Sequence, residues 1–239
     1  MIVTSRRSLF IRPTTLTTIA TIATAVVIAG TALFLIACYS SLPDILPVRF
    51  NVRSRPIGWQ YKTYARVLMP MLVQIALAAT FGAVATLILS RSHSRGEEQL
   101  PDMVAASTGA EAIALVAFLW VSFQAYAAAS LVAMWQKGRA GLGGWYTWVM
   151  IGAVAASLGI GVRAHRRLGR PTPRVFVPEH WRFGHLYKNP ADPALFVPTR
   201  DGRRWTLNFG RPVAAALLGV VLLVGVLAPT VILGLLLRY

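Results

Sequence analysis

Leu16 to Cys38 reads LTTIATIATAVVIAGTALFLIAC, an apolar stretch without a single charged side chain. A helix needs about 20 such residues to cross the hydrocarbon core of a bilayer, and this stretch has that length. Four further runs follow: Val67 to Leu89, interrupted by Gln74; Ile113 to Trp135, bracketed by Glu111 and Lys137; Trp145 to Val162, shorter and rich in small residues; and Val213 to Leu237, ending at Arg238. Backbone exposed to lipid must satisfy its own hydrogen bonds, which a helix does within one segment. Composition agrees. Hydrophobic residues make up 56% of the 239 residues and charged residues 13%, about half of the ~25% usual in soluble domains. So few charges cannot coat a soluble globule of this apolar content, and a disordered chain is excluded as well. A single Cys excludes a disulfide framework and a zinc site of several thiolates.

These patterns predict an all-α integral membrane protein with about five transmembrane helices and a small turn and hairpin module before the last one. The segments are a cytoplasmic N-tail, 1–15, and helices one and two, 16–90, joined by an extracytoplasmic loop, 41–62. A cytoplasmic loop with helices three and four, 91–162, follows, then a basic cytoplasmic module, 163–212, and helix five, 213–239. Orientation rests on the basic residues. With the N-terminus in the cytoplasm, sixteen of the 24 Lys and Arg fall on inside segments, eleven of them between Arg163 and Arg211. Trp135, Trp145, Tyr146 and Trp148 mark the outer interface. Pro70 and Pro229 are expected to bend the second and fifth helices. In the fourth, Gly152, Ala155, Ala156 and Gly159 have the small-residue spacing that permits close helix contact. Leu35-Ile36-Ala37-Cys38 has the form of a lipoprotein processing site, but the length of the run and the spans behind it favour an uncleaved helix.

The formal charge of +16 needs no nucleic acid. Inside segments rich in arginine attract the anionic lipids of the cytoplasmic leaflet, at about 1 kcal/mol per basic residue near the surface. The expected partners are the lipid bilayer, anionic lipids at the cytoplasmic face, a cytoplasmic protein and further copies of the chain as a homo-oligomer.

Two loops carry recognisable patterns. In Ser41 to Lys62 (SLPDILPVRFNVRSRPIGWQYK) the prolines stop the first helix and force an extended exit, and Pro56-Ile57-Gly58 offers a turn. Asp44, the only acid there, is placed to cap the turn or to pair with Arg49 or Lys62. Leu42, Pro43, Asp44, Pro47, Phe50, Asn51, Pro56, Trp59 and Lys62 resemble the signature of a bacterial membrane-domain family of unknown function, numbered 1648. Arg49 stands where that family usually has His, Ser54 where it has Gly, and Ile57 where it has Asp or Asn. The same domain occurs in an immunity protein against a sporulation-delaying toxin peptide, so the resemblance implies protection from, or sensing of, such a peptide.

The second loop runs from His180 to Pro212. Arg170 to Arg174 reads as a stiff linker, Asn189 to Pro193 as a turn, and Leu195 to Thr199 with Arg204 to Asn208 as a hairpin around Asp201-Gly202. Trp181, Phe183, Tyr187, Phe196, Trp205 and Phe209 alternate with Arg182, Lys188, Arg203, Arg204 and Arg211, a composition suited to headgroups. Trp181, Gly184, Tyr187, Asn189, Pro190, Asp192, Pro193, Phe196, Val197, Pro198, Trp205, Thr206, Leu207 and Asn208 resemble a second family of unknown function, numbered 5808. Thr199 and Arg203 depart from its usual Lys and Gly.

Catalytic chemistry has no foothold in the sequence. His93, His165, His180 and His185 are scattered; His180 and His185 with Glu179 and Asp192 read as an interfacial turn rather than a metal site. Phosphate loops, nucleophile elbows and paired acids are missing. No catalytic residue, metal or cofactor is expected, and the chain reads as no enzyme. The polar residues nearest the membrane are Glu111, at the cytoplasmic end of the third helix within reach of headgroup water, and Gln124. Gln74, Ser122 and Tyr126 are expected to bridge helices. The expectation is a protein of the bacterial plasma membrane, N-terminus inside, that senses or tolerates an envelope-active peptide and relays that state inward. A small-solute transporter using Glu111 and a scaffold recruiting a cytoplasmic protein are the alternatives.

Overall fold

The computed structural model describes residues 11–50, 56–89, 100–138, 144–168, 176–192, 195–199, 205–212, 214, 215 and 219. The elements run α1 (Thr15–Cys38), a 3-10 turn (Tyr39–Ser41), β1 (Ile45–Phe50), β2 (Pro56–Tyr61), α2 (Tyr64–Val67), α3 (Met69–Leu89), α4 (Leu100–Lys137) and α5 (Trp145–Leu168). A second 3-10 turn (Pro178–His180) leads to β3 (Trp181–Arg182), β4 (Leu186–Tyr187), β5 (Phe196–Pro198) and β6 (Trp205–Leu207). Among the described residues four helices are long and apolar enough to cross a membrane. The protein is therefore an all-α, multi-pass membrane protein. The fifth expected span lies almost wholly outside the described residues; Pro212, Ala214, Ala215 and Gly219 within or beside it are helical.

In α1 the hydroxyls of Thr21, Thr24 and Thr31 donate back to the carbonyls of Thr17, Ala20 and Val27. Polar side chains thereby enter an apolar helix without loose donors. Ile19, Ile22, Val26, Leu33 and Ile36 stay exposed, as lipid-facing residues do. Pro70 has its effect just upstream: the helix is interrupted at Leu68, between α2 and α3, and resumes with the Leu72 amide donating to the Leu68 carbonyl at 3.1 Å.

Two helices exceed their expected lengths. α4 starts at Leu100 rather than Ile113, and its 38 residues span roughly 57 Å, more than the ~30 Å hydrocarbon core. Hydropathy missed the extension because Asp102, Ser107, Thr108 and Glu111 dilute the apolar signal, while the alanines among them favour a helix. α5 continues past Val162 to Leu168, carrying Arg163, His165, Arg166 and Arg167 into its last turns, where cations complement the helix dipole.

The chain divides into two compact units. One comprises Leu16–Phe81 and Ala114–Val162. Its main core gathers Leu35, Leu42, Leu46, Val67, Ala128, Val132, Met134 and Trp135. Trp135 is buried there, donating its indole N–H to the Pro47 carbonyl at 3.1 Å; it is not the interfacial aromatic the sequence suggested. β1 and β2 pair antiparallel with Ile45 opposite Tyr61, Leu46 opposite Gln60 and Pro47 opposite Trp59. Irregularities follow at Pro47/Arg49 and Arg49/Phe50. Pro56-Ile57-Gly58 therefore starts a strand instead of making the expected turn, and the link between the strands falls on 51–55, outside the described residues. On α5, Gly152, Ala155, Ala156 and Gly159 are exposed, with nothing within 4 Å of a side chain built at either glycine. Among the described residues the expected close helix contact is not made.

The other unit comprises Met1–Thr15, Gly82–Ile113 and Arg163–Tyr239. Ile11, Val84, Ile88, Leu89, Ala106, Ala110, Leu195 and Ala214 form its core, with Leu207 packed against it. β5 and β6 pair antiparallel as expected, Phe196 opposite Leu207 and Pro198 opposite Trp205. β3 and β4 form a smaller hairpin, and Tyr187 bridges in parallel to Asn208. The Asp201-Gly202 turn, the 170–174 linker and the Gly141-to-Gly143 part of the loop before α5 lie outside the described residues.

Candidate functional site

The motif between α1 and α2 is built around Lys62. Its ammonium donates to the Leu42 carbonyl at 2.8 Å, sits 3.3 Å from an Asp44 carboxylate oxygen and lies 5.1 Å from the centre of the Tyr39 ring. Tyr39 in turn stacks on Tyr64, centroids 3.9 Å apart. The Lys62 side chain is 13% exposed and that of Asp44 93%. A carboxylate so open to water adds little, so the carbonyl and the ring hold the cation. The Lys62 amide also donates to the Asp44 carbonyl at 2.7 Å, closing the base of the hairpin. Leu42 and Leu46 fill the core beneath. Gly58 makes room for Arg49, whose stem carbons lie 3.1 Å from where a side chain would begin.

Of the motif, Leu42, Asp44, Pro47 and Lys62 thus build the hairpin. Pro43 is exposed, Pro56 half-buried, and Asn51 and the side chain of Phe50 are outside the described residues. Trp59 does something different. With Ile45, Ile57 and Tyr61 it stays exposed, at 57%, 51%, 59% and 76% respectively. Ile45 and Tyr61, like Pro47 and Trp59, are register partners, so these side chains share a face.

In the C-terminal module, Asn208 is fully buried. Its Nδ2 donates to the carbonyls of Asn189, at 2.8 Å, and Asp192, at 3.0 Å; its Oδ1 accepts from the amides of Asn189, at 3.1 Å, and Gly210, at 3.0 Å. All four hydrogen-bonding positions of the amide are used. The Tyr187 hydroxyl donates to Asp192 at 2.9 Å and accepts from Asn189 Nδ2 at 3.4 Å. Asn189 Oδ1 accepts from the Ala191 amide at 3.0 Å, which makes the Asn189-to-Asp192 turn. The rings of Trp181 and His180 pack edge-on against Tyr187. Val197 and Pro198 are buried, Thr206 and Leu207 half-buried, and Pro190 exposed. Pro193 and the side chains of Phe196 and Trp205 are outside the described residues. The motif therefore builds a bolted turn. Gly210, which the sequence reading missed, belongs to it: a side chain there would start 2.5 Å from the Asn189 carbonyl carbon. Among the described residues no group of three or more His, Cys, Asp and Glu is placed to hold a metal ion.

Glu111 does not reach headgroup water. It is buried, with the Arg167 guanidinium 2.5 Å and that of Arg163 3.5 Å from Oε1, and the Thr14 hydroxyl donating to Oε2 at 2.9 Å. The extra turns of α5 bring those arginines to it. Gln124, the other expected membrane-edge polar residue, belongs to the other unit and is half-buried. Gln74 is fully buried. It donates to the Thr31 hydroxyl at 3.1 Å and the Val121 carbonyl at 3.0 Å, while its Oε1 has no partner among the described residues. It bridges α1, α3 and α4 as expected. Ser122 is half-buried; Tyr126 stacks beside Tyr146, and Trp120 donates to Ser157 at 3.2 Å, both tying α4 to α5.

Comparison with protein-family models, with curated proteins and with solved structures finds no match for the chain.

Proposed function

We propose that this is a non-enzymatic receptor of the bacterial plasma membrane that senses or confers tolerance to an envelope-active peptide and relays that state to the cytoplasm. The observation that carries the reading is the exposed face of Ile45, Ile57, Trp59 and Tyr61 on a hairpin braced by Lys62 and Leu46. Membrane-active peptides are amphipathic, and an apolar aromatic face on a fixed frame is complementary to them. β1 and β2 form a two-stranded sheet with no third strand among the described residues, so an extended peptide has an edge to add to. The resemblance to family 1648 points the same way.

The arginine distribution favours a cytoplasmic N-terminus, which puts the hairpin outside. Among the described residues three candidate spans follow the hairpin in the chain, an odd number, and on this reading the C-terminal module is assigned to the cytoplasm, where its resemblance to family 5808 and its basic surface suit a relay to a protein partner. A proton- or ion-coupled transporter needs an available charge, and Glu111 is already engaged by Arg163, Arg167 and Thr14. Deleting the gene and restoring it with Trp59→Ser tests the reading. Sensitivity to one or more membrane-active peptides should change on deletion, and Trp59→Ser should fail to restore it. Unchanged sensitivity across a broad panel defeats the proposal.

A further inference from the structure

The β3–β4 turn presents Phe183 in an unusual way. Its ring is 87% exposed, more than any other large apolar side chain among the described residues. Its backbone sits at φ +51°, followed by Gly184 at +76°, and the His185 amide donates to the Arg182 carbonyl at 3.3 Å. Two successive positive φ values across that bond are those of a tight hairpin turn that favours Asn-Gly. A phenylalanine in the left-handed region is sterically disfavoured, and a ring 87% exposed among the described residues gains little burial to compensate.

The surroundings say what the ring meets. Leu195 and Leu207 of the module pack with Val84, Ile88 and Leu89 at the end of α3 and Ala106 and Ala110 of α4. The module is thus seated on the ends of membrane helices. Only residues 169–175 separate Phe176 from the end of α5 at Leu168, a link of at most about 29 Å. Beside the tip Arg182 and His185 are exposed, and so are Lys188 and one acid, Glu179, at the base of the same hairpin; Asp192 is bonded to Tyr187. A lone aromatic ring flanked by cations and held at the membrane surface matches a phospholipid leaflet, rings at the headgroup level and cations on phosphates.

We propose that the Phe183 turn is a lipid anchor, its ring inserted at the headgroup–acyl boundary of the leaflet on the module's own side, with Arg182 and Lys188 against lipid phosphates. The anchor is independent of the peptide-receptor reading, which concerns the β1–β2 hairpin.

The full chain carrying para-fluorophenylalanine at position 183, in nanodiscs of phosphatidylcholine and phosphatidylglycerol, provides the test. Fluorine NMR should show the line broadened several-fold by a lipid spin-labelled near its headgroup, and little affected by a soluble gadolinium chelate. Broadening by the chelate that equals or exceeds that by the lipid label overturns the proposal, whether the ring is free in water or reserved for a soluble protein. A second variant separates anchoring from folding. Phe183→Asn should leave the thermal midpoint unchanged or higher, since Asn suits the turn, while a spin label at position 185 (with Cys38→Ser) moves towards water. A lowered midpoint with an unmoved label assigns Phe183 a structural role and overturns the anchor.

Discussion

Asn208 grips both backbone polar groups of Asn189, its Nδ2 donating to the Asn189 carbonyl and its Oδ1 accepting from the Asn189 amide. Nineteen positions apart in the chain, the two hold the turn against the strand end as one piece, and two further bonds to Asp192 and Gly210 complete the amide. Removing it should be costly. Asn208→Ala strands two carbonyls and two amides, and the module should lose about 3 kcal/mol or more at 1–3 kcal/mol per buried group left unmade. Hydrogen exchange at Asn189 and Gly210 in the full chain measures it; protection equal to that of the unaltered protein contradicts the network.

Gly210 has no room to change. Gly210→Ala puts a carbon 2.5 Å from the Asn189 carbonyl carbon, a backbone obstacle that cannot rotate away, so the same exchange experiment should show the turn opened. Gly184→Ala at φ +76° meets no neighbour and should cost only the conformational penalty, about 1 kcal/mol.

Glu111→Gln keeps a hydrogen-bonding group for Thr14 and removes the ion pairs. Arg163 and Arg167 are about half exposed, so solvent screens much of the loss, and the fall should be about 1 kcal/mol, roughly 2–4 °C in thermal midpoint. The difference should shrink in high salt. Solute uptake by vesicles carrying Glu111→Gln should match the unaltered chain; loss of a measurable flux would revive transport.

Leu46 and Trp59 neighbour each other on the two sides of one hairpin and should behave oppositely. Leu46 is fully buried, so Leu46→Ala should cost about 2–5 kcal/mol. Trp59→Ser should stay within about 0.5 kcal/mol, as surface changes do, while abolishing peptide-dependent protection. Thermal unfolding in nanodiscs beside a peptide-sensitivity assay checks both.

Gln74→Leu should be close to neutral, within about 1 kcal/mol, because membrane-buried side-chain hydrogen bonds average ~0.6 kcal/mol and the change also removes a carbonyl oxygen without a partner. A thermal midpoint lowered by much more would mean that Oε1 has a partner such as a buried water.

The apolar stretch ending at Cys38 and the three described runs after it were legible because transfer to hydrocarbon depends on composition over a window, which one sequence displays. The β5–β6 hairpin was legible from strands flanking Asp201-Gly202. The β1–β2 hairpin was not: its prolines and two register irregularities break the alternation that marks a strand. Nor were the added turns of α4 and α5, since hydropathy reports a preference for lipid and says little of helix beyond it.

Motif membership was visible in residue identity and spacing, but the role of each member was not. Lys62 and Asn208 are polar residues that a sequence reader assigns to surfaces or sites, and folding spends them on main-chain carbonyls and amides that only approach in three dimensions. Trp135 looked interfacial and Glu111 solvated for the same reason. Composition alone determined that this chain lives in a membrane, because solvent preference sums over residues regardless of their partners. Tertiary structure decided which polar groups are consumed and which side chains, Trp59 and Phe183 among them, remain outside, because hydrogen bonding and burial depend on neighbours distant in the chain.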